Sequence, residues 1–474
     1  MRPKKIIGTL VPLSALYSKT DKTADFEVGK LFLDWLLKTG QNAWQLLPLN
    51  ETQLEPGSTT KHVPSPYKGY GIGLDPRYLS DEAKKQKPTA QELDRFMQQN
   101  KDWLADYALF SVLRDTFGTD DWSLWDEDFR KRNPTVLARI KKGKQEKVNA
   151  YIEEQWQLHE AYASFREKAR AKKILLICDL PFYAAHHSPL VWTNQHLFDL
   201  GVDGNMKRVS GIVNKPNSYF GRQIWNHPLY RFEEKELLPR ILHFWKKRIA
   251  YTAELFDVIR FDHANGFFEY GSLSVKDEAG DVIKKGPGSY FLKELIDYTR
   301  SLGITVSMET LGERLLRLQH MIEKLNVLSI RVFRFAYNEK TKRINRDYAN
   351  IKDYPAHTMA YTTTHDTESL TGYLYKLKAD ERKLLAKIVH AAYDTKLETL
   401  AIRLRQKVLN ARSGIIIIPI QDWLLSKDRI NTPGTEKEVN DKNWQYRIPA
   451  PVENLTSKVY SWSDERAFIY NSSI

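Results

Sequence analysis

Three stretches decide how this chain is read: FDVIRFDHANGFF (256–268), GITVSMETLG (303–312) and HTMAYTTTHDTES (357–369). Each begins with a short β-branched or aliphatic run and reaches one acidic residue where that run stops, at Asp262, Glu309 and Asp366. One acid per strand end, repeated across about a hundred residues, suits a barrel whose site is assembled at the C-terminal ends of its strands.

Working outward, five more runs of the same kind appear. KIIGTLVPL (5–13), AWQLLPL (43–49) and KILLICDLP (173–181) precede the three, and VLSIRVFRF (327–335) and GIIIIPIQD (414–422) complete the set. Strands that are apolar on both faces and alternate with helical segments predict a parallel sheet, and eight such units predict a closed (β/α)8 TIM barrel. The spacing is uneven. A largely helical insertion over 50–172 is expected between strands two and three, and a loop-rich one over 182–255 between strands three and four, both over the C-terminal face. The Asn-, His-, Gly- and Pro-rich part, 182–235, reads as irregular loops. Little chain follows the eighth strand, so residues 1–474 are read as one catalytic barrel with no separate C-terminal β-sandwich.

The composition fits an enzyme core rather than a nucleic-acid binder. Hydrophobic residues make up 42% and aromatics 12%, with 24 Tyr and 12 Trp, enough rings for sugar faces to stack on. Lys and Arg number 72 against 59 Asp and Glu, a net charge of +13. That excess lies in helix-like segments such as REKARAKK (166–173) and DERKLLAKIV (380–389), where acids are interspersed, and no nucleic-acid motif accompanies it. The one cysteine, Cys178, sits in a buried-strand pattern and has no disulfide partner, which fits a reducing cytoplasm. The start, MRPKKIIGTLVPLSALYS, reads as a first buried strand, because Gly8, Thr9, Pro12 and Ser14 interrupt its apolar run. No stretch is long and apolar enough to span a membrane.

Two carboxyls facing each other across a bond are the requirement of glycoside chemistry, and a third commonly grips the sugar hydroxyls. Arg260 stands two residues before Asp262, hence on the same strand face, and favours an ionised nucleophile. The acid/base partner needs burial and negative neighbours to keep its proton; Glu309, between Met308 and Leu311, is the candidate. No metal-ligand cluster is apparent.

The chain also resembles the 4-α-glucanotransferases (amylomaltases or disproportionating enzymes) of glycoside hydrolase family 77. The resemblance rests on blocks in family order: GQNAWQLLPLN (40–50), SPY (65–67), WLADYALF (103–110), DLPFYAAHHSPLVW (179–192), QIWNHPLY (223–230), RFDH (260–263), METLG (308–312), THDT (364–367), PIQDWLL (419–425) and NTPG (431–434). It implies Asp262 as nucleophile, Glu309 as general acid and base, and Asp366 as the carboxylate on the sugar hydroxyls. It further implies substrate contacts from Arg260, His365, Tyr67, Ser65, Trp225, Gln223 and Asn431. α-1,4-Glucan and malto-oligosaccharides would be donor and acceptor, with no metal, organic cofactor, nucleic acid or membrane partner. A mainly hydrolytic α-glucanase and a non-catalytic glucan-binding protein are the competing expectations. The departures explain why: Asn265 stands at an arginine of the family pattern, Thr310 and His187 at aspartates, Thr367 at an asparagine and Pro216 at an aspartate.

Overall fold

A computed structural model describes residues 5–214, 221–311, 315–435 and 443–457. Its centre is a closed barrel of eight parallel strands: β1 (Ile6–Leu10), β2 (Ala43–Gln45), β3 (Leu175–Leu180), β4 (Val258–Phe261), β5 (Thr305–Met308), β6 (Leu328–Val332), β7 (Thr358–Tyr361) and β8 (Ile415–Pro419). Each strand pairs with its neighbours in chain order, and β1 closes the ring against β8, Ile6 opposite Ile415 and Leu10 opposite Pro419. All eight expected runs supply a barrel strand.

Alternation along these strands sorts side chains into two cores. On β7 and β8, Met359, Tyr361, Ile415 and Ile417 belong to the cluster that fills the barrel. Ala360, Ile416 and Ile418 face the other way and pack with Leu400, Leu404 and Val408 of the helix Leu397–Leu409. Tyr361 confirms the inward face, since its hydroxyl donates to Gln45 Oε1 on β2, three strands away round the ring, at 3.0 Å. β-Branched residues at successive positions thus meet both layers, which is why IIIIP forms a fully buried strand.

The outer helices carry clear start signals. Asp25 caps Phe26–Lys38 by accepting from the Val28 N–H at 2.8 Å, and the buried stripe of that helix includes Phe32, Leu33 and Leu36. Between β2 and β3 lie an antiparallel pair, Asn50–Thr52 with Gly69–Leu74, and then several helices ending in the 27-residue Gln145–Ala171. Gln155 ties that long helix to the pair through both backbone groups of Leu74, each at 2.9 Å. The 182–235 segment is more regular than irregular loops. It contributes Val209–Ile212 and Gln223–Pro228 to a four-stranded antiparallel sheet completed by Glu269–Leu273 and Val282–Lys285 from beyond β4. Strands of four to six residues whose partners are this distant leave little periodic signal. Among the described residues no strand follows β8, and no helix is long and apolar enough to cross a membrane.

Gly8 marks the tightest approach in the barrel wall. A Cβ there would stand 2.4 Å from the Ala43 carbonyl oxygen and 2.7 Å from its Cβ, so β1 and β2 would have to part. Gly8→Ala should therefore destabilise the fold by about 1–3 kcal/mol, the usual range for overpacking. The check is a urea midpoint that falls while the slope holds. Gly143→Ala, where a Cβ meets nothing within 4 Å, should leave the midpoint unchanged or slightly raised.

Candidate active site

The acids are fixed by the sheet itself. Ladder bonding continues one residue past the strands: Asp262 N–H donates to Leu180 O at 3.1 Å, and Glu309 N–H to Phe261 O at 3.0 Å. Arg260 is registered against Asp179 on one side and Ser307 on the other. After Asp262 the chain turns at once, because His263 takes left-handed angles (φ 46°, ψ 47°). A non-glycine residue pays for that conformation, and here the turn aims the His263 N–H at Glu309 Oε2, 2.9 Å away.

Arg260 is the hub of the site, with a side chain only 3% exposed. Its guanidinium pairs directly with Asp179 and stands 3.5 Å from Asp262 Oδ1 and 3.9 Å from Glu309 Oε2. Asp179 is otherwise satisfied by Gln45 Nε2 at 2.7 Å and the Tyr67 hydroxyl at 2.6 Å. The network then continues to the third acid. His365 Nε2 lies 3.0 Å from the Tyr67 oxygen and 3.1 Å from Asp366 Oδ2, and Asn431 Nδ2 donates to Asp366 Oδ1 at 2.7 Å.

These contacts tune the carboxyls in opposite senses. Burial pushes Asp179 up, but the Arg260 charge and its hydrogen bond outweigh it and hold the group below the usual carboxylate value. Burial likewise opposes ionisation of Asp366, yet His365, Asn431 and Arg260 together bring it down to about 2. Asp262 goes the other way: burial and the facing Glu309 carboxylate push it well up, with Arg260 pulling against them. The strand pattern pointed to an ionised Asp262 beside Arg260. In the folded chain burial and the neighbouring Glu309 outweigh Arg260, and the Asp262 carboxyl is raised instead.

Ser65, Tyr67, Gln223, Trp225, Asp262, Glu309, Asp366 and Asn431 all line one cleft at this end of the barrel. Arg260 and His365 do not; they are buried behind its wall, where they position the carboxylates. Tyr67, His365 and Trp444 form an aromatic shelf with ring centroids 5.5–5.6 Å apart. Opposite it, Trp225 meets His263 edge-on at 4.7 Å and donates to Gln223 Oε1 at 3.0 Å. Asp179, Gln45 and Trp444 were missed by the sequence reading. Asp179 obeyed the very rule that found the others, an acid closing the apolar run of β3. Trp444 carries no such signal.

The departures from the family pattern are mostly placed. Thr367 Oγ1 accepts the Thr364 N–H at 3.0 Å and closes the turn after β7. Asn265 Nδ2 donates to Leu311 O at 3.3 Å, while Thr310 Oγ1 is buried with no hydrogen-bond partner. His187 lies away from the cleft, next to Asp121, and Pro216 falls outside the described residues. Among the described residues one cluster could hold a metal, Asp121 with His186 and His187, which distance in sequence had hidden.

A family model described as 4-alpha-glucanotransferase, glycoside hydrolase family 77, matches residues 74–453. The chain is 28% identical to a 4-alpha-glucanotransferase of Aquifex aeolicus, covering 90% of this chain and 91% of that one. It is 25% identical to a Thermus thermophilus 4-alpha-glucanotransferase, covering 88% and 89%. Among solved structures it is similar in fold to a Streptococcus agalactiae amylomaltase in complex with acarbose, with TM-score 0.84, 22% identity and 99% of each chain covered. A Corynebacterium glutamicum amylomaltase has TM-score 0.76 and 15% identity, with 98% of this chain and 75% of that one covered.

Removing the partner of a buried charge costs far more than removing a surface one. Asp179→Asn should thus destabilise the chain by about 3 kcal/mol or more in urea unfolding. Asp81→Asn, which breaks a solvent-exposed pair with Lys84, should change it by less than about 0.5 kcal/mol.

Proposed function

The chain belongs to the 4-alpha-glucanotransferases of glycoside hydrolase family 77, and from that membership we propose that it moves α-1,4-glucan segments between malto-oligosaccharides by a retaining double displacement. The observation that carries the proposal is the convergence of Asp262, Glu309 and Asp366 in one aromatic-lined cleft, with the first two carboxyls facing each other.

In the first half-reaction Asp262 attacks the anomeric carbon of the donor while Glu309 passes its proton to the departing glycosidic oxygen. The C–O bond to the leaving chain breaks, and a β-linked glucosyl ester on Asp262 forms. In the second half an acceptor hydroxyl gives its proton to Glu309 and attacks the same carbon, freeing Asp262. Two inversions leave the α configuration unchanged. Arg260, 3.5 Å from Asp262 Oδ1, favours the negative charge that the nucleophile needs in this cycle. Asp366, held ionised by His365 and Asn431, accepts hydrogen bonds from sugar hydroxyls that strengthen as positive charge develops on the ring. Tyr67 and Ser65 serve the donor side, Trp225 and Gln223 the acceptor side, and Asn431 reaches in from the last loop. The buried, unpartnered Cys178 suits a reducing cytoplasm.

Maltotriose as the only substrate provides the test. Transfer gives glucose together with maltodextrins longer than the substrate; shorter products alone would make the protein a hydrolase, and unchanged maltotriose with saturable glucan binding would make it a binder. Asp262→Asn and Glu309→Gln should each lower the rate at least about 10²-fold. kcat/KM should follow a bell in pH. Asp262 must lose a proton that burial and Glu309 hold above the usual carboxylate range, so activity falls on acidification at a higher pH than an isolated aspartate would give. It falls again at alkaline pH, where no protonated acid remains to help the leaving oxygen depart.

A further inference from the structure

The Asp121, His186 and His187 side chains lie outside the cleft, where the helical insertion meets the loop that follows β3. We propose that these three residues form a binding site for one divalent transition-metal ion of the zinc type.

One donor atom from each side chain lies within 4.8 Å of the other two. A tetrahedral zinc ion with bonds of about 2.0–2.1 Å brings its ligand atoms about 3.4 Å apart. His187 Nε2 and Asp121 Oδ2 already stand 3.4 Å apart. His186 needs only a small inward shift to complete the set. Two imidazoles and one carboxylate, with water in the fourth position, suit zinc; calcium and magnesium prefer all-oxygen ligands.

His186 and Asp121 carry outer hydrogen bonds of the kind that metal ligands need. His186 Nε2 is taken up by Gly204 O at 2.8 Å, which leaves Nδ1 as the coordinating nitrogen. Its backbone is held as well, since Trp122 Nε1 donates to His186 O at 2.7 Å. Asp121 Oδ1 accepts the N–H and hydroxyl of Ser123 at 3.2 and 2.6 Å, so Oδ2 is the oxygen turned towards His187. Asp120 Oδ1 lies 3.8 Å from the other nitrogen of His187, beyond hydrogen-bond distance. His186 is buried, while His187 is 32% and Asp121 24% exposed, which gives an ion a route in from solvent.

The site would clamp the turn Trp122–Leu124 to the loop that carries Phe182 and Tyr183, two residues of the cleft wall.

The full-length protein, stripped with a chelator, would be dialysed to equilibrium against Zn²⁺ and the metal counted per chain. The expected result is one zinc bound with micromolar or tighter affinity, unaffected by millimolar Ca²⁺ or Mg²⁺. Co²⁺ in its place should give the intense visible absorption of four-coordinate cobalt. His187→Ala and Asp121→Asn should each weaken binding at least ten-fold. His187 is partly exposed and asparagine retains the acceptor that caps Ser123, so both variants keep the fold, which thermal unfolding would verify. The proposal is overturned if the parent chain binds no zinc at micromolar concentration, or if both variants bind it as the parent does, which would place the ion on other histidines.

Discussion

A guanidinium buried among carboxylates is the constraint on which the rest of this structure depends. Arg260 is almost wholly removed from water, and a charge in that position is tolerated only if partners and hydrogen bonds repay its lost hydration. Asp179 supplies the direct partner, Gln45 and Tyr67 satisfy Asp179 in turn, and β2, β3 and β4 are thereby locked in register at their C-terminal ends. The cleft end of the barrel is accordingly fixed by the fold's own contacts. Asp262 and Glu309 inherit their positions from the same ladder, and the Arg260 charge between them opposes the mutual repulsion that would drive them apart.

The aromatic shelf depends on this hub as well. Tyr67 is anchored through Asp179, and its ring supports His365 and Trp444, which come from the loop after β7 and from far along the chain. His365 then restrains Asp366 from behind while Asn431 restrains it from the side. One chain of contacts thus runs from the barrel interior to the carboxylate most distant from Arg260. Loss of any link would be felt as misplaced acids rather than as an open cavity.

The barrel could be read from the sequence because its strands are apolar on both faces and its helices are not. KILLICDLP and GIIIIPIQD have no other stable destination than a doubly covered strand. The three acids were legible for the same reason, each ending such a run. The rule was applied to three strands and not to β3, so Asp179 went unrecognised although it closes its run in the same way. Other features leave no local trace. The sheet above the barrel is made of short strands from both sides of β4, Trp444 reaches Tyr67 across most of the chain length, and Asp121 meets His186 only in three dimensions. Patterning reports which face of an element is buried, and it is silent on which distant element buries it.

The two departures nearest the acids are best understood together. Against the family pattern, Asn265 replaces a cation and Thr310 replaces an anion, and the Asn265 side chain donates to Leu311, the residue after Thr310. Deleting the cation alone would leave Asp262 with less positive charge nearby and push its proton affinity further up. Deleting the anion alone would act in the opposite sense. Losing both removes no net charge from the cleft, and a neutral amide-to-carbonyl bond between the same two loops remains. Thr310 keeps a buried hydroxyl without a partner, the residual cost of the exchange. The raised proton affinity of Asp262 therefore follows from burial and Glu309 against the pull of Arg260, and Asn265 changes the lining of the cleft without changing that balance of charge.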